Sequence, residues 1–268
     1  YFVYNMANYY HFIYDTLPYL YSYFYEREYH PHLKLLVSPP EGMDDLYPFV
    51  WETLSLLGIT KHDVIFLDRK AVYKTVIVGS SLTHNGLSNT PPHKGLRGVI
   101  NRLQGEYEGA EKVYISRRTW LNPKNENIGT DYTERRRCVN EDEVAEYFIS
   151  LGFKEVFCEN LSMKEKIGLF KGAKVVAGPS GGGMVNTIFC HPKTKVISID
   201  SPKFFEVNKR FEYSMCHNDV YHFTDTEFVG EVEESVDSDG ALSISGGMNS
   251  PWKVNMDSLK KFMESVDV

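Results

Sequence analysis

The sequence is poor in the features that mark several protein classes. Its four cysteines, Cys138, Cys158, Cys190 and Cys216, are unevenly spaced with no C-x-x-C, which argues against a zinc ribbon or dithiol redox centre and leaves ordinary thiols. No run approaches the roughly 20 apolar residues that cross a bilayer, and the start lacks the regions of a signal peptide. No polybasic block dominates: 29 Lys and Arg against 36 Asp and Glu give a net charge of −7. Duplex nucleic acid and anionic membranes are therefore not expected as main partners. The chain begins at Tyr1 with no initiator Met. The expectation is a soluble protein, cytoplasmic if complete, or in the Golgi or ER lumen if an upstream anchor has been removed.

What is present is the composition of a globular chain, 42% hydrophobic and 24% charged, long enough at 268 residues for two domains with separate cores. The first thirty residues hold ten of the 18 tyrosines. Residues 9–25 lack glycine and contain one proline, Pro18, which predicts a helix capped by Asn8 and kinked or broken at Pro18. An apolar run at 33–37, a helix at 44–57, a strand at 64–67 and a β-branched run at 72–78 follow. Turn-rich residues 80–98 lead to a short helix ending near Gly105, and the domain boundary is placed at 105–111.

The second half repeats the alternation. Strands are predicted at 112–116, 153–158, 173–177 and 195–199 and near Val220. Asn140 with Glu143, and Ser162 with Glu165, have the spacing of capping boxes and open helices. A helical stretch is expected at 203–215, and a closing helix at 257–266. Such repetition predicts α/β architecture with parallel sheets: two Rossmann-like domains, 1–108 and 109–247, and a closing segment at 248–268. Residues 231–247 read as an acidic surface loop, and the D-x-D there, Asp237-Ser238-Asp239, as a solvated turn with no metal.

The segment richest in chemistry is Gly178-Pro179-Ser180-Gly181-Gly182-Gly183-Met184-Val185-Asn186, which joins an apolar strand to a short helix. Ligands of open α/β sheets bind at such strand ends. Consecutive glycines permit close backbone approach, and the amides at a helix start favour an anion such as phosphate. A tight turn needing positive φ would account for the same glycines. The segment is neither a dinucleotide fingerprint nor a P-loop. It does match G-x-S-x-G, with Asp200 and then His217 or His222 in hydrolase order, so a serine hydrolase using Ser180 is the alternative. Pro179 and the poor oxyanion candidate His84-Asn85-Gly86 count against it.

Four stretches together resemble glycosyltransferase family 61, which includes plant xylosyl- and arabinosyltransferases and animal O-linked N-acetylglucosaminyltransferases. They are Asn8-Tyr9-Tyr10-His11-Phe12-Ile13-Tyr14-Asp15-Thr16-Leu17-Pro18; Tyr114-Ile115-Ser116-Arg117-Arg118; Arg137 with Asn140-Glu141; and residues 177–189. Many members carry His where this chain has Ser180. The resemblance implies a GT-B architecture, two Rossmann-like domains facing across a cleft, with the donor held mainly by the C-terminal one. It also implies inversion, no metal and no cofactor beyond a UDP-sugar co-substrate. The expected donor sugar is xylose, with UDP-GlcNAc as alternative, and the acceptor an oligosaccharide or glycoprotein glycan.

Without a metal, the departing diphosphate must be met by cations and oriented amides. Arg117 is the first candidate, with Arg118 and Arg137. Gly181, Gly182 and Gly183 would offer backbone amides, Ser180 a hydroxyl and Asn186 a side-chain amide. An inverting transfer also needs a base. His11 and Asp15, four apart on the predicted helix, are that candidate, as His11 with Asp15 its partner or as Asp15 itself. Asn8, Tyr9 and Tyr10 are the acceptor-side candidates, since aromatic faces suit sugar rings.

Overall fold

The computed structural model describes residues 1–3, 8–68, 70–83, 92–106, 109–118, 136–232, 247 and 249–268. His84-Asn85-Gly86, Arg135 and Asp237-Ser238-Asp239 lie outside them. Two compact units emerge. The first takes Tyr1–Tyr107 and Ser162–Gly168; the second takes the described residues of Glu108–Asn127 and Asp131–Leu161, with Leu169–Val268. The division is not linear in sequence, because residues 162–168 return to the first unit.

The first unit is built on a parallel sheet of β1 (Phe2–Val3), β2 (Leu35–Val37) and β3 (Val64–Phe66), in that order. The tyrosine-rich start is one helical run in four pieces. α1 (Tyr9–His11) is capped by Asn8, whose Oδ1 accepts from the His11 N–H at 3.2 Å. A π-helical turn over Phe12–Thr16 and a 3-10 turn over Leu17–Tyr19 follow, and α2 runs Leu20–Tyr29. Pro18 sits in the 3-10 turn, where its missing N–H and fixed φ interrupt the α ladder. Every residue from Phe12 to Leu20 is buried, so the middle of this run is enclosed on all sides, and that burial stabilises a helix that changes pitch twice. α3 (Pro48–Leu56) begins with its proline in the first turn, and α4 spans Gly95–Ile100. Residues 72–78 form no strand. Val72 is 97% exposed, and β-branched residues favour a strand only where a neighbour covers them.

In the second unit β4 (Lys112–Ile115), α5 (Glu141–Ser150), β5 (Lys154–Val156), α6 (Met163–Gly172), β6 (Val175–Pro179) and β7 (Lys195–Ile199) alternate along the chain, the first six residues of α6 belonging to the first unit. A 3-10 helix, Gly182–Phe189, replaces an α-helix between β6 and β7. The stretch 203–215 is broken at Asn208 into α7 (Phe204–Val207) and α8 (Lys209–Met215), followed by β8 (Asp219–Phe223). All five strands are parallel, in the order β5-β4-β6-β7-β8.

An antiparallel pair absent from the sequence reading, β9 (Thr226–Phe228) and β10 (Trp252–Val254), leads into α9 (Met256–Val266). One face of the five-stranded sheet packs Tyr114, Ala177, Ile197 and Phe223 against Val144 and Phe148 of α5 and Leu259 and Met263 of α9, around the fully buried Trp252. Ser162 and Glu165 form the expected capping box, with Ser162 N–H donating to Glu165 Oε2 at 2.8 Å. Asn140 does not. Its side chain pairs with the backbone of Val254, donating to the carbonyl and accepting from the N–H, both at 2.9 Å. None of the four cysteines is in a disulfide.

Candidate functional site

Strand order marks a candidate crevice in the second unit. The chain steps from β4 outward to β5 and then back across β4 to β6, so the order reverses between β4 and β6. A parallel sheet opens a crevice at its carboxyl edge at such a point. β4 exits there into Ser116-Arg117-Arg118 and β6 into Ser180-Gly181-Gly182-Gly183. Segments 63 residues apart thereby meet: Arg117 Nη1 donates to the Ser180 carbonyl at 3.4 Å. A Cβ on Gly181 would stand 3.4 Å from the same nitrogen.

The glycines divide by role. A Cβ on Gly178 would lie 2.8 Å from the Ile115 carbonyl oxygen, and one on Gly183 2.9 Å from Ile115 Cγ2, so both let β6 and the 3-10 helix lie against β4. Gly182 has nothing within 4 Å of its Cβ position. Packing does not require a glycine there. Its bare backbone stands at the first residue of the 3-10 helix, where amides lack partners within the helix and favour an anion.

Several expected contacts are redirected. Arg118 is buried, and its guanidinium pairs with Glu155 through Nε (2.9 Å) and Nη2 (2.7 Å) and with Asp142 through Nη1 (3.0 Å). Those bonds, to Glu155 above all, hold it charged more firmly than an ordinary arginine. Consecutive residues at a strand end point opposite ways, so only one of the two arginines faces the turn. The Ser180 hydroxyl is buried and accepts from the Ser201 N–H at 3.3 Å, tying the turn to the exit of β7. Asn186, fully buried, donates to the Gly183 carbonyl at 2.8 Å and braces the turn from behind.

Arg137 is exposed, and its carbonyl accepts from the Trp252 N–H at 2.9 Å. Its neighbour Arg136 is the buried one. With φ at +54° its side chain is turned inward, and Cζ lies 4.6 Å from the centre of the Phe204 ring. Glu141, with no role in the sequence reading, has Oε1 accepting from the Arg117 N–H at 2.6 Å. Burial pushes its carboxyl up to about 7, against the pull of that bond and of the Arg117 and Arg118 charges.

Asp200, just past β7, accepts from Ser198 Oγ at 2.6 Å and is bonded to His222 Nδ1 at 2.8 Å. The structure thus joins the acid and histidine of the hydrolase alternative but not the nucleophile, because Ser180 has no hydrogen bond to a histidine among the described residues. In the first unit, His11 Nδ1 and Asp15 Oδ2 are 2.6 Å apart across the π-helical turn, with Asp15 buried and the His11 side chain 38% exposed. π-helical turns recur at functional sites. Tyr9 packs edge-on against Phe49 and beneath Lys166, whose Nζ is 4.5 Å from its ring centre. Tyr10 is buried, 4% exposed, against Tyr14 and His11, so its ring braces the dyad and is closed to a sugar face.

The family model for glycosyltransferase 61 matches residues 9–197, most of the chain. The chain belongs to glycosyltransferase family 61. The family implies a sugar donor and a glycan acceptor as substrates. No curated protein matches the sequence. The matched region spans the helical run with His11 and Asp15, the exit of β4, the start of α5 with Glu141, and the glycine turn. It stops at β7, short of β8, β10 and α9. Among the described residues no helix is long and apolar enough to cross a membrane.

Proposed function

We propose that the chain transfers a sugar, with inversion and without a metal, from a UDP-sugar to a glycan hydroxyl. The reading takes the second unit as donor side and the first as acceptor side, the division of labour of a GT-B enzyme. The observation that carries it is Arg117 over the glycine turn at the point where strand order reverses. There a guanidinium and the amides of Gly182 and Gly183 meet the diphosphate oxygens, which gain charge as the anomeric bond breaks. Glu141 holds the Arg117 backbone in place.

On the acceptor side Asp15 takes the Nδ1–H of His11, which leaves Nε2 to accept the proton of the attacking hydroxyl. Xylose as the sugar rests on the resemblance to plant pentosyltransferases, and UDP-GlcNAc is the competing donor. Thermal shifts with UDP and with NAD, with and without EDTA, test donor binding. A shift with UDP alone, unchanged by EDTA, is expected; no shift with any nucleotide overturns the reading. Turnover across a UDP-sugar panel then identifies the donor. His11→Ala is expected to slow it about a hundredfold or more while UDP affinity is kept, and near-normal turnover in both His11→Ala and Asp15→Ala sinks the base assignment.

A further inference from the structure

The Asp200–His222 pair is left over once the glycine turn and Arg117 are assigned. Joining β7 to β8 does not explain it. Those strands already pair in register from Lys195↔Asp219 to Ile199↔Phe223, and the ladder continues through the Asp200 N–H to the Phe223 carbonyl at 2.9 Å. Thr226 Oγ1 adds a 2.7 Å bond to the Asp200 carbonyl. Burying a carboxylate to add one more link costs desolvation that an apolar pair would avoid.

The pair's position suggests a ligand. It stands at the same carboxyl edge as the glycine turn, and the residue after Asp200, Ser201, donates its N–H to Ser180 in that turn. From β6 to β8 is two strand spacings, about 10 Å, within the span of an extended nucleoside diphosphate. Asp200 is occupied by Ser198 and by His222 Nδ1; His222 Nε2 has no partner among the described residues, and the side chain is 31% exposed.

We propose that His222, oriented by Asp200, is a second cation of the donor site and gives its Nε2–H to an oxygen of the donor diphosphate, with Arg117 holding the other end. This rests on the donor-site reading above. His222 would touch the ligand, and Asp200 is a positioning residue. The surroundings favour the imidazolium. The bond to Asp200 raises the His222 pKa above its ordinary value, with Glu212 of α8 acting the same way and burial and Lys209 of α8 opposing; Phe205 of α7 meets the ring edge-on at 5.1 Å.

The test is UDP affinity by calorimetry from pH 6.5 to pH 9 for the wild type, His222→Gln and Asp200→Asn. Wild-type affinity is expected to fall about tenfold more across that range than the His222→Gln affinity, as one charged hydrogen bond is lost. The ionisation of UDP itself is common to both proteins and cancels in their ratio. Asp200→Asn should move the wild-type fall to lower pH. Wild-type titrations in two buffers of different ionisation enthalpy should show proton uptake on binding near pH 8, a readout that needs no variant. Parallel pH profiles with no proton uptake overturn the role of His222 while leaving the donor site standing; failure of every protein to bind UDP overturns both.

Discussion

Glu141→Gln separates two effects that a single stability measurement would merge. In the wild type the carboxyl rises from its ordinary 4.5 to about 7, chiefly by burial. The folded state therefore holds this proton more tightly than the unfolded chain does. Stability from this group is complete below pH 4.5, declines as pH rises towards 7, and levels off above it. At 1.36 kcal/mol per unit the full loss is about 3 kcal/mol, most of it between pH 5 and pH 8. Gln keeps an acceptor for the Arg117 N–H but cannot ionise. Its extra N–H group adds a cost of about 1–3 kcal/mol that does not vary with pH. The difference in stability between variant and wild type should thus shift in favour of the variant by about 2–3 kcal/mol from pH 5 to pH 8, or roughly 5–10 °C in Tm. Urea melts of both proteins at pH 5, 6, 7 and 8 measure it, and titrations elsewhere in the chain cancel. A difference that stays flat, or turns against Gln with rising pH, would refute a buried Glu141 of raised pKa.

Two further comparisons separate architecture from binding. Arg118→Met should cost about 3 kcal/mol, because it strands the part-buried Glu155, yet leave UDP affinity within about twofold; Arg117→Ala should do the reverse, with stability within about 1 kcal/mol and affinity down at least tenfold. Chemical denaturation and calorimetry on the same samples read both, and equal behaviour of the two variants would contradict the assignment. Gly183→Ala should destabilise by about 1–3 kcal/mol through its contact with Ile115, while Gly182→Ala, with open space around it, should fold normally and weaken UDP binding. Normal UDP affinity in Gly182→Ala would remove the phosphate from that position.

Much of the fold was legible because the signals were local. Val175 to Ala177 is a continuous apolar run, and Val196 to Ile199 is one interrupted by Ser198, of the kind a buried parallel strand requires, and Ser162 with Glu165 announces a helix start wherever the rest of the chain goes. What stayed hidden depended on partners distant in sequence. Asn140 has the spacing of a cap, but its partner, Val254, lies 114 residues away. The run at 72–78 has strand residues but no covering neighbour.

The site shows the same divide at finer grain. The glycines and the resemblance point to the crevice, but they do not choose between adjacent residues. Alternation at the end of β4 turns Arg117 to the glycine turn and Arg118 to Glu155, and a left-handed backbone buries Arg136 in place of Arg137. In sequence, Asp200 and His222 stand in hydrolase order after Ser180. In three dimensions they are a pair without its serine.

The bond between Asn140 and Val254 has a consequence in time. It closes a loop of 114 residues, for which ideal-chain statistics charge about 4 kcal/mol before any contact is gained. Trp252 and α9 complete the layer that α5 begins, so the start of α5, where Glu141 holds Arg117, is not locked until β10 and α9 dock. The candidate crevice at the exits of β4 and β6 therefore leans, through the start of α5, on a strand 114 residues further along the chain, and local helix formation in α5 does not complete it.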